Sequence, residues 1–202
     1  MKAIQKGVEP AIFTAWKALA NDDWQPSYGI LGNPQKKAVK QALMLEQGYI
    51  CCYCECRLVE DDSHIEHFVP QSESDIGALD FANMLCSCQQ NLEKGTPLHC
   101  GNLKGDHNVP ISPLDPDCAT RFIFAADGRV LPASVGDLAA IDTIQVLGLD
   151  IPILRARRAK IIEVFLDESL EVDELKRLVS AYLQKDALGA YGEFWTAVDG
   201  LF

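Results

Sequence analysis

Nowhere in these 202 residues do 18 apolar side chains run together, so no segment has the length and composition of a membrane-spanning helix. The opening stretch, MKAIQKGVEPAIFTAW, lacks the unbroken apolar run of a secretory signal, because Glu9 and Pro10 interrupt it. A soluble, cytoplasmic protein is the expectation. Internal repeats and low-complexity segments are missing as well, which excludes repeat arrays and compositional tails. The length leaves no room for two large independent domains, yet 48% hydrophobic residues suffice for a buried core.

A basic excess is also missing: the net charge is -11. Residues 1–50 carry six Lys against four acids, residues 51–126 four basic groups against twelve acids, and residues 127–202 eight against thirteen. The middle segment is the acidic one. Proteins that hold nucleic acid unaided usually present a basic face, since phosphate neutralisation supplies most of the non-specific affinity. Any polyanion handled by this chain therefore calls for a second, more basic protein.

What the sequence does have is cysteine, eight of them. In a reducing compartment such clustering reads first as metal binding rather than as disulfides. Cys51 and Cys54 form a Cys-x-x-Cys knuckle, and Cys88 and Cys100 can complete a four-thiolate zinc site whose second pair is split by an inserted loop. Cys86 stands two residues before Cys88, on the same strand face, and spacing alone leaves both open as the third ligand. Cys52, Cys56 and Cys118 are surplus to the site.

The surrounding pattern is α+β. Ile12, Phe13, Trp16 and Leu19 recur at helical spacing over residues 10–20, and a second helix is announced by Asn33 as cap and Pro34 in the first turn, with Gly48 ending it. Residues 57–59 and 64–69 read as two short strands joined by an acidic turn over 60–63. LDFANMLCSC then leads into a loop over 89–98, and HCGNLKGD begins a short helix. Beyond it, RFIF and RVLP flank Asp127-Gly128, a hairpin-turn pair. The C-terminal third reads as helical, with an apolar stripe of Val172, Leu175, Leu178, Val179, Tyr182 and Leu183. Arg155, Arg157, Arg158 and Lys160 lie on the helix before it, where salt bridges to Glu163 or acidic neighbours are expected over contacts with nucleic acid. This divides the chain into a helical segment (1–48), a cysteine-rich core (49–110), and a hairpin with a helical segment (111–202).

Glu66-His67, three residues before Pro70, sets a carboxylate beside an imidazole at a strand end. Alone this pair is a weak signal, but the order of motifs is not. Cys-x-x-Cys precedes Glu-His-x-x-Pro, Asn83 precedes Cys88 by five residues, and Lys104 follows Cys100 by four. That order resembles the HNH endonucleases. The lead-in Glu46-Gln47-Gly48 to Cys-Cys-Tyr-Cys-Glu, the Ile-Glu-His-Phe-x-Pro core, Leu-Cys-Ser-Cys and the delayed His-Cys-Gly-x-x-Lys-Gly carry the likeness further. They are similar to the PtuB family of nuclease subunits in Septu and retron-associated anti-phage systems.

The resemblance implies a zinc-braced ββα-metal core in which Cys88, not Cys86, joins Cys51, Cys54 and Cys100. It makes His67 the general base, Glu66 the ligand of a catalytic magnesium (or manganese), and Asn83 the residue that holds the loop carrying the base. The chemistry suits them, since phosphodiester hydrolysis needs a base near neutral pKa and a divalent cation at the phosphate. The position after the last Cys, where the family has Asn or His, is Gly101, which offers no ligand. His99 and Asn102 flank it, and Asn102 is preferred as the residue that completes the magnesium site. Lys104 is the expected phosphate contact, His64 shares the face of Glu66 by strand alternation, and His107 falls in a loop. The resemblance also implies a hetero-oligomer with a PtuA-like ATPase, ABC-like or SMC-like, and a nucleic-acid substrate, DNA before RNA. The alternative is a catalytically decayed, zinc-stabilised protein-interaction module. A thiol redox protein would need an alternating strand and helix pattern that this sequence lacks.

Overall fold

The computed structural model describes residues 1–73 and 77–202. Among them are seven α-helices and two separate two-stranded antiparallel sheets, an α+β arrangement. One apolar core draws residues from all three sequence segments, from Met1 and Phe13 through Leu85 and Cys100 to Leu154 and Ala197.

Helix α1 (Ala11–Lys17) is shorter than its apolar spacing suggests. Phe13 is fully buried and stacks on Trp16, whose ring meets the edge of Trp24. Helix α2 (Gln35–Glu46) buries Val39, Leu43 and Met44 along one stripe. Its start differs from the expectation: Pro34, not Asn33, holds the cap position, and no side chain caps the helix. Gly48 ends the helical run with a φ of 63°. A Cβ there would stand 2.3 Å from the Tyr191 ring, so only glycine allows the C-terminal segment to close over this turn.

Strand β1 (Ser63–His67) pairs with β2 (Met84–Cys88), setting Glu66 opposite Leu85 and His67 opposite Met84. This corrects the expected pairing of 57–59 with 64–69. Arg57 makes only an isolated bridge with Ile50, because its backbone N–H donates to Glu193 and its guanidinium to the carbonyls of Tyr49 and Tyr191. Those contacts turn residue 57 toward the C-terminal segment. The acidic stretch Glu60–Asp62 is one turn of 3-10 helix leading into β1. Helix α2 packs on the sheet, and α3 (Cys100–Lys104) packs against β2.

The second hairpin forms where Asp127-Gly128 places it, between β3 (Phe122–Phe124) and β4 (Val130–Pro132). Helix α4 (Leu138–Val146) is capped by Asp137, which accepts from the Ala140 N–H and is gripped by Arg121 at 2.8 and 2.6 Å. In α5 (Pro152–Glu163) the basic cluster divides, with Arg155 and Arg157 in partly exposed salt bridges, Lys160 exposed and Arg158 buried. Arg155 pairs with Asp150 and Arg157 with Glu193, rather than with Glu163. Arg158 is 2% exposed, donates to the carbonyls of Gly128 and Leu149, and lies over the rings of Phe124 and Phe194. Helix α6 (Val172–Leu183) starts with a capping box between Glu171 and Glu174. Its stripe packs Val179, Leu175, Tyr182 and Leu183 with Phe165 and with Val198 of α7 (Trp195–Leu201), while Val172 stays exposed.

Candidate metal centre and active site

Two backbone turns and two element ends bring four thiols together. The knuckle folds because the Cys51 N–H donates to the Cys56 carbonyl and the Glu55 N–H returns to Cys51, with Glu55 in the left-handed region at φ 64°. Cys88 arrives as the last residue of β2 and Cys100 as the first of α3. The sulfurs of Cys51, Cys54, Cys88 and Cys100 all lie within 4.8 Å of one another, and all four residues are buried. Such a cluster can hold a metal ion. Burial pushes the Cys51 and Cys54 thiols up, but hydrogen bonds from Cys100 and their other sulfur neighbours more than reverse this. Burial and its bonds to Cys51 and Cys54 in turn push Cys100 well up. The thiols thus compete for negative charge in a closed space, which is the condition a cation relieves. Cys86, fully buried, stands outside the group; so do Cys52, Cys56 and Cys118.

Beside this centre, neighbouring residues of β1 are held by different sets of partners. Glu66, 7% exposed, receives the Tyr53 hydroxyl and the Lys104 ammonium on Oε1, both at 3.1 Å. Its Oε2 faces His64 Nε2 at 3.6 Å. Burial alone would raise the Glu66 carboxyl, but the His64 and Lys104 contacts outweigh it and hold it below the usual carboxylate range. Glu66 is therefore an anion in this setting.

His67 is 5% exposed. Its Nε2 lies 3.0 Å from the Ala78 carbonyl, which accepts only from N–H, so that nitrogen carries the proton. Nδ1 is then the basic nitrogen, and the Gln71 amide donates to it at 3.1 Å. The Tyr28 ring meets the imidazole edge-on at 4.6 Å. Burial lowers the His67 pKa, so the ring is neutral and basic at neutral pH. Asn83 straps the strands' exit: its Oδ1 accepts from Val69 N–H at 2.8 Å, and its Nδ2 donates to the carbonyls of Val69 and Gly77. The loop so tied is the one that presents the Ala78 carbonyl.

The residues around Cys100 fall elsewhere than expected. Asn102 gives its amide to the Gln89 carbonyl, away from Glu66. His99 sits on the thiols, its Nδ1 3.1 Å from Cys100 and 3.8 Å from Cys88. Lys104, read from the sequence as a surface phosphate contact, is 1% exposed and donates to the His67 carbonyl at 2.9 Å as well as pairing with Glu66. It is an internal counter-ion, because α3 lies flat on β2 and aims its last turn inward. Sequence reasoning missed Tyr53, Tyr28 and Gln71. Tyr53 had a local signal, a polar aromatic inside the knuckle; Tyr28 had none, since its contact with His67 crosses 39 residues of chain.

A cavity of about 390 Å³ opens beside the pair, lined by Tyr28, His64, Lys36, Lys37, Lys40 and Glu60 among others. Neither Glu66 nor His67 lines it, but two of its lining residues touch them: Tyr28 meets the His67 ring and His64 faces Glu66. A larger one, about 640 Å³, lies between the N-terminal stretch and α2 and is lined by neither Glu66 nor His67.

No protein-family model matches the sequence. Two known proteins are nonetheless similar to it. The chain is similar to a protein of Vibrio cholerae serotype O1 biovar El Tor named "Retron Vc95 putative HNH endonuclease", 32% identical over 136 residues, 63% of this chain and 65% of that protein. It is also similar to the Septu protein PtuB of Bacillus thuringiensis, 31% identical over 81 residues, 39% of this chain and 28% of that one. The resemblance to HNH endonucleases near PtuB therefore stands, and the matches span less than two thirds of either relative. Among the described residues no helix is long and apolar enough to cross a membrane.

Proposed function

We propose that this chain is the nuclease subunit of an anti-phage defence complex, a metal-dependent HNH endonuclease that hydrolyses nucleic-acid phosphodiester bonds in the cytoplasm. One observation carries the reading: His67 is locked in a single neutral tautomer by a carbonyl on a loop that Asn83 fastens, next to the anionic Glu66. A histidine that only packs has no need of a dedicated strap, and here the strap leaves Nδ1 as the basic nitrogen, held only by the Gln71 amide.

In this reading the four cysteines hold structural zinc. A tetrahedral site with Zn–S bonds of about 2.3 Å separates its sulfurs by about 3.8 Å, and Cys54 and Cys88 already stand 3.7 Å apart. The strand pair and α3 then form the ββα-metal core, stapled at the strand end and the helix start. A magnesium or manganese ion on Glu66 supplies positive charge for the phosphate and the leaving oxygen. His67 Nδ1 takes the proton of the attacking water, its Nε2–H staying on Ala78 throughout. Gln71, which now donates to Nδ1, yields that place to the water. Tyr53 and Lys104 keep Glu66 ionised and fixed.

The charge problem has a local answer. Lys36 and Lys37 are exposed on α2, and with Lys40 they rim the cavity that reaches His64 and Tyr28. Glu60, paired with Lys37, and Asp61 share this rim, so its net excess is one positive charge; that favours a phosphate strand at short range, while the net charge of -11 opposes approach from afar. Capture of the substrate accordingly falls to a partner, for which a PtuA-like ATPase is the candidate on the likeness to PtuB. The absence of a side chain at Gly101 is what favours the second reading, a decayed interaction module. The deciding experiment incubates the chain, alone and with its ATPase partner, with plasmid DNA and with total RNA, with magnesium or chelator. Metal-dependent cleavage that falls about 10²- to 10⁴-fold in His67→Ala, at unchanged fold and zinc content, is the expected result. Cleavage unaffected by His67→Ala, or no cleavage under any condition, refutes the assignment.

A further inference from the structure

We infer that His64 is the nitrogen ligand that completes the catalytic cation site with Glu66, in the place that HNH endonucleases give to a residue on the helix. The inference rests on the nuclease reading above and concerns a residue which that reading leaves without a role.

A Cβ built on Gly101 would stand 2.4 Å from Glu66 Oε2 and 2.8 Å from His64 Nε2. Both distances are shorter than real Cβ contacts, so a side chain at 101 and the present pair of His64 and Glu66 exclude each other. The volume that an Asn or His at 101 would fill is occupied from the opposite side, by a residue of β1. Gly101 is thus not simply a lost ligand; it is the space that lets another one in.

The rival donors are committed elsewhere. Asn102 holds the Gln89 carbonyl and His99 the thiols of Cys100 and Cys88. Glu66 Oε1 is occupied by Tyr53 and Lys104, which leaves Oε2 as the oxygen with free lone pairs. His64 Nε2 is 3.6 Å from that oxygen. Two adjacent ligands on an octahedral magnesium-sized ion, each about 2.1 Å from it, are about 3 Å apart; a small side-chain adjustment closes the difference. His64 also has access that Glu66 lacks: its side chain is 20% exposed and lines the cavity of about 390 Å³ with Lys36, Lys37 and Lys40. A cation held there would keep its remaining positions toward that cavity, for water and a substrate phosphate. Imidazole and carboxylate together suit manganese as well as magnesium.

The test uses the full zinc-loaded chain and manganese as the probe, read by electron paramagnetic resonance. Wild type is expected to show nitrogen-14 coupling to bound manganese. His64→Ala should abolish that coupling and weaken manganese binding about tenfold or more, whereas His67→Ala, His99→Ala and Asn102→Ala should leave the coupling intact. A merely structural role for His64 could alter affinity, but it would not create or remove nitrogen coupling. The inference is overturned if the coupling survives His64→Ala, if it disappears instead in His99→Ala, or if wild type binds manganese through oxygen alone. Should wild type bind no manganese beside its zinc, this inference and the metal-dependent reading both fall. Cleavage abolished by His67→Ala but untouched by His64→Ala sinks the inference and leaves the nuclease standing.

Discussion

Replacing Gly101 by alanine sets two effects of opposite sign against each other. Gly101 is the second residue of α3 and is not in the left-handed region, so alanine there gains about 0.5–1 kcal/mol of helix propensity. Against this, the new methyl would stand 2.4 Å from Glu66 Oε2, 3.0 Å from its carboxyl carbon and 2.8 Å from His64 Nε2. His64 can give way toward the cavity, but Glu66 cannot. Glu66 is pinned by the fully buried Tyr53 and Lys104, and α3 cannot back away because Cys100 is fixed among the sulfurs. Overpacking of this kind costs about 1–3 kcal/mol, which exceeds the propensity gain. The expected net loss is up to about 2.5 kcal/mol, or a fall in Tm of up to about 10 °C for a chain of this length. Thermal unfolding followed by circular dichroism, at fixed zinc, measures it. His64→Ala in the same background should recover part of the loss, since it removes one of the two clashing groups. A Gly101→Ala chain that melts higher than wild type would show that propensity wins, that the gap beside Glu66 is open, and that the case for His64 has lost its premise.

Elemental analysis of freshly purified protein should give one zinc per chain, and Cys54→Ser should lose the metal together with much of the folding cooperativity, whereas Cys86→Ser should keep the metal; equal zinc in both variants counts against the four-sulfur assignment. Asn83→Ala removes three hydrogen bonds from the loop that orients His67, so cleavage should slow at unchanged zinc content; undiminished activity would separate the strap from the base. Lys36→Glu with Lys37→Glu should weaken nucleic-acid binding in low salt and flatten its log–log salt slope by about 0.9 for each phosphate no longer neutralised, measured by fluorescence anisotropy on a His67→Ala background. An unchanged salt slope would remove the basic rim from the substrate path.

The sequence showed some elements and hid others for identifiable reasons. Local residue chemistry announced the hairpin at Asp127-Gly128 and the end of α2 at Gly48, while the start of α3 at Cys100, also expected, is held by the Leu147 carbonyl 47 residues on. The partner of β1 was not legible in the same way. Residues 57–59 have strand composition and lie close by, so proximity favours them, yet Arg57 is bound by Tyr49, Tyr191 and Glu193. Two of those three residues lie more than 130 positions away, and no local pattern signals them. The basic cluster of α5 misled in milder form: salt bridges were the right kind of partner, but Asp150 and Glu193 were the wrong distance away to be read from i,i+4 spacing.

At the candidate site the division follows the same physics. Spacing left Cys86 and Cys88 both open, and the resemblance to HNH endonucleases pointed to Cys88; the structure brings Cys51, Cys54, Cys88 and Cys100 within 4.8 Å and leaves Cys86 outside. The residue beside Glu66 was harder, since attention goes to side chains and the decisive feature is the lack of one. Gly101 looked like a gap in the pattern, and its neighbours His99 and Asn102 looked like substitutes because they are adjacent in sequence. Adjacency on a short helix turns successive residues about 100° apart, so neighbours of a position that faces the carboxylate must face away from it. Strand alternation pointed to a neighbour that the structure does place there: residues 64 and 66 share one face of β1 by the period of two, and Nε2 of the one stands 3.6 Å from Oε2 of the other. On the proposal made above, a helix position without a side chain is replaced from the strand that already holds the carboxylate, and glycine at that facing position is the condition for it.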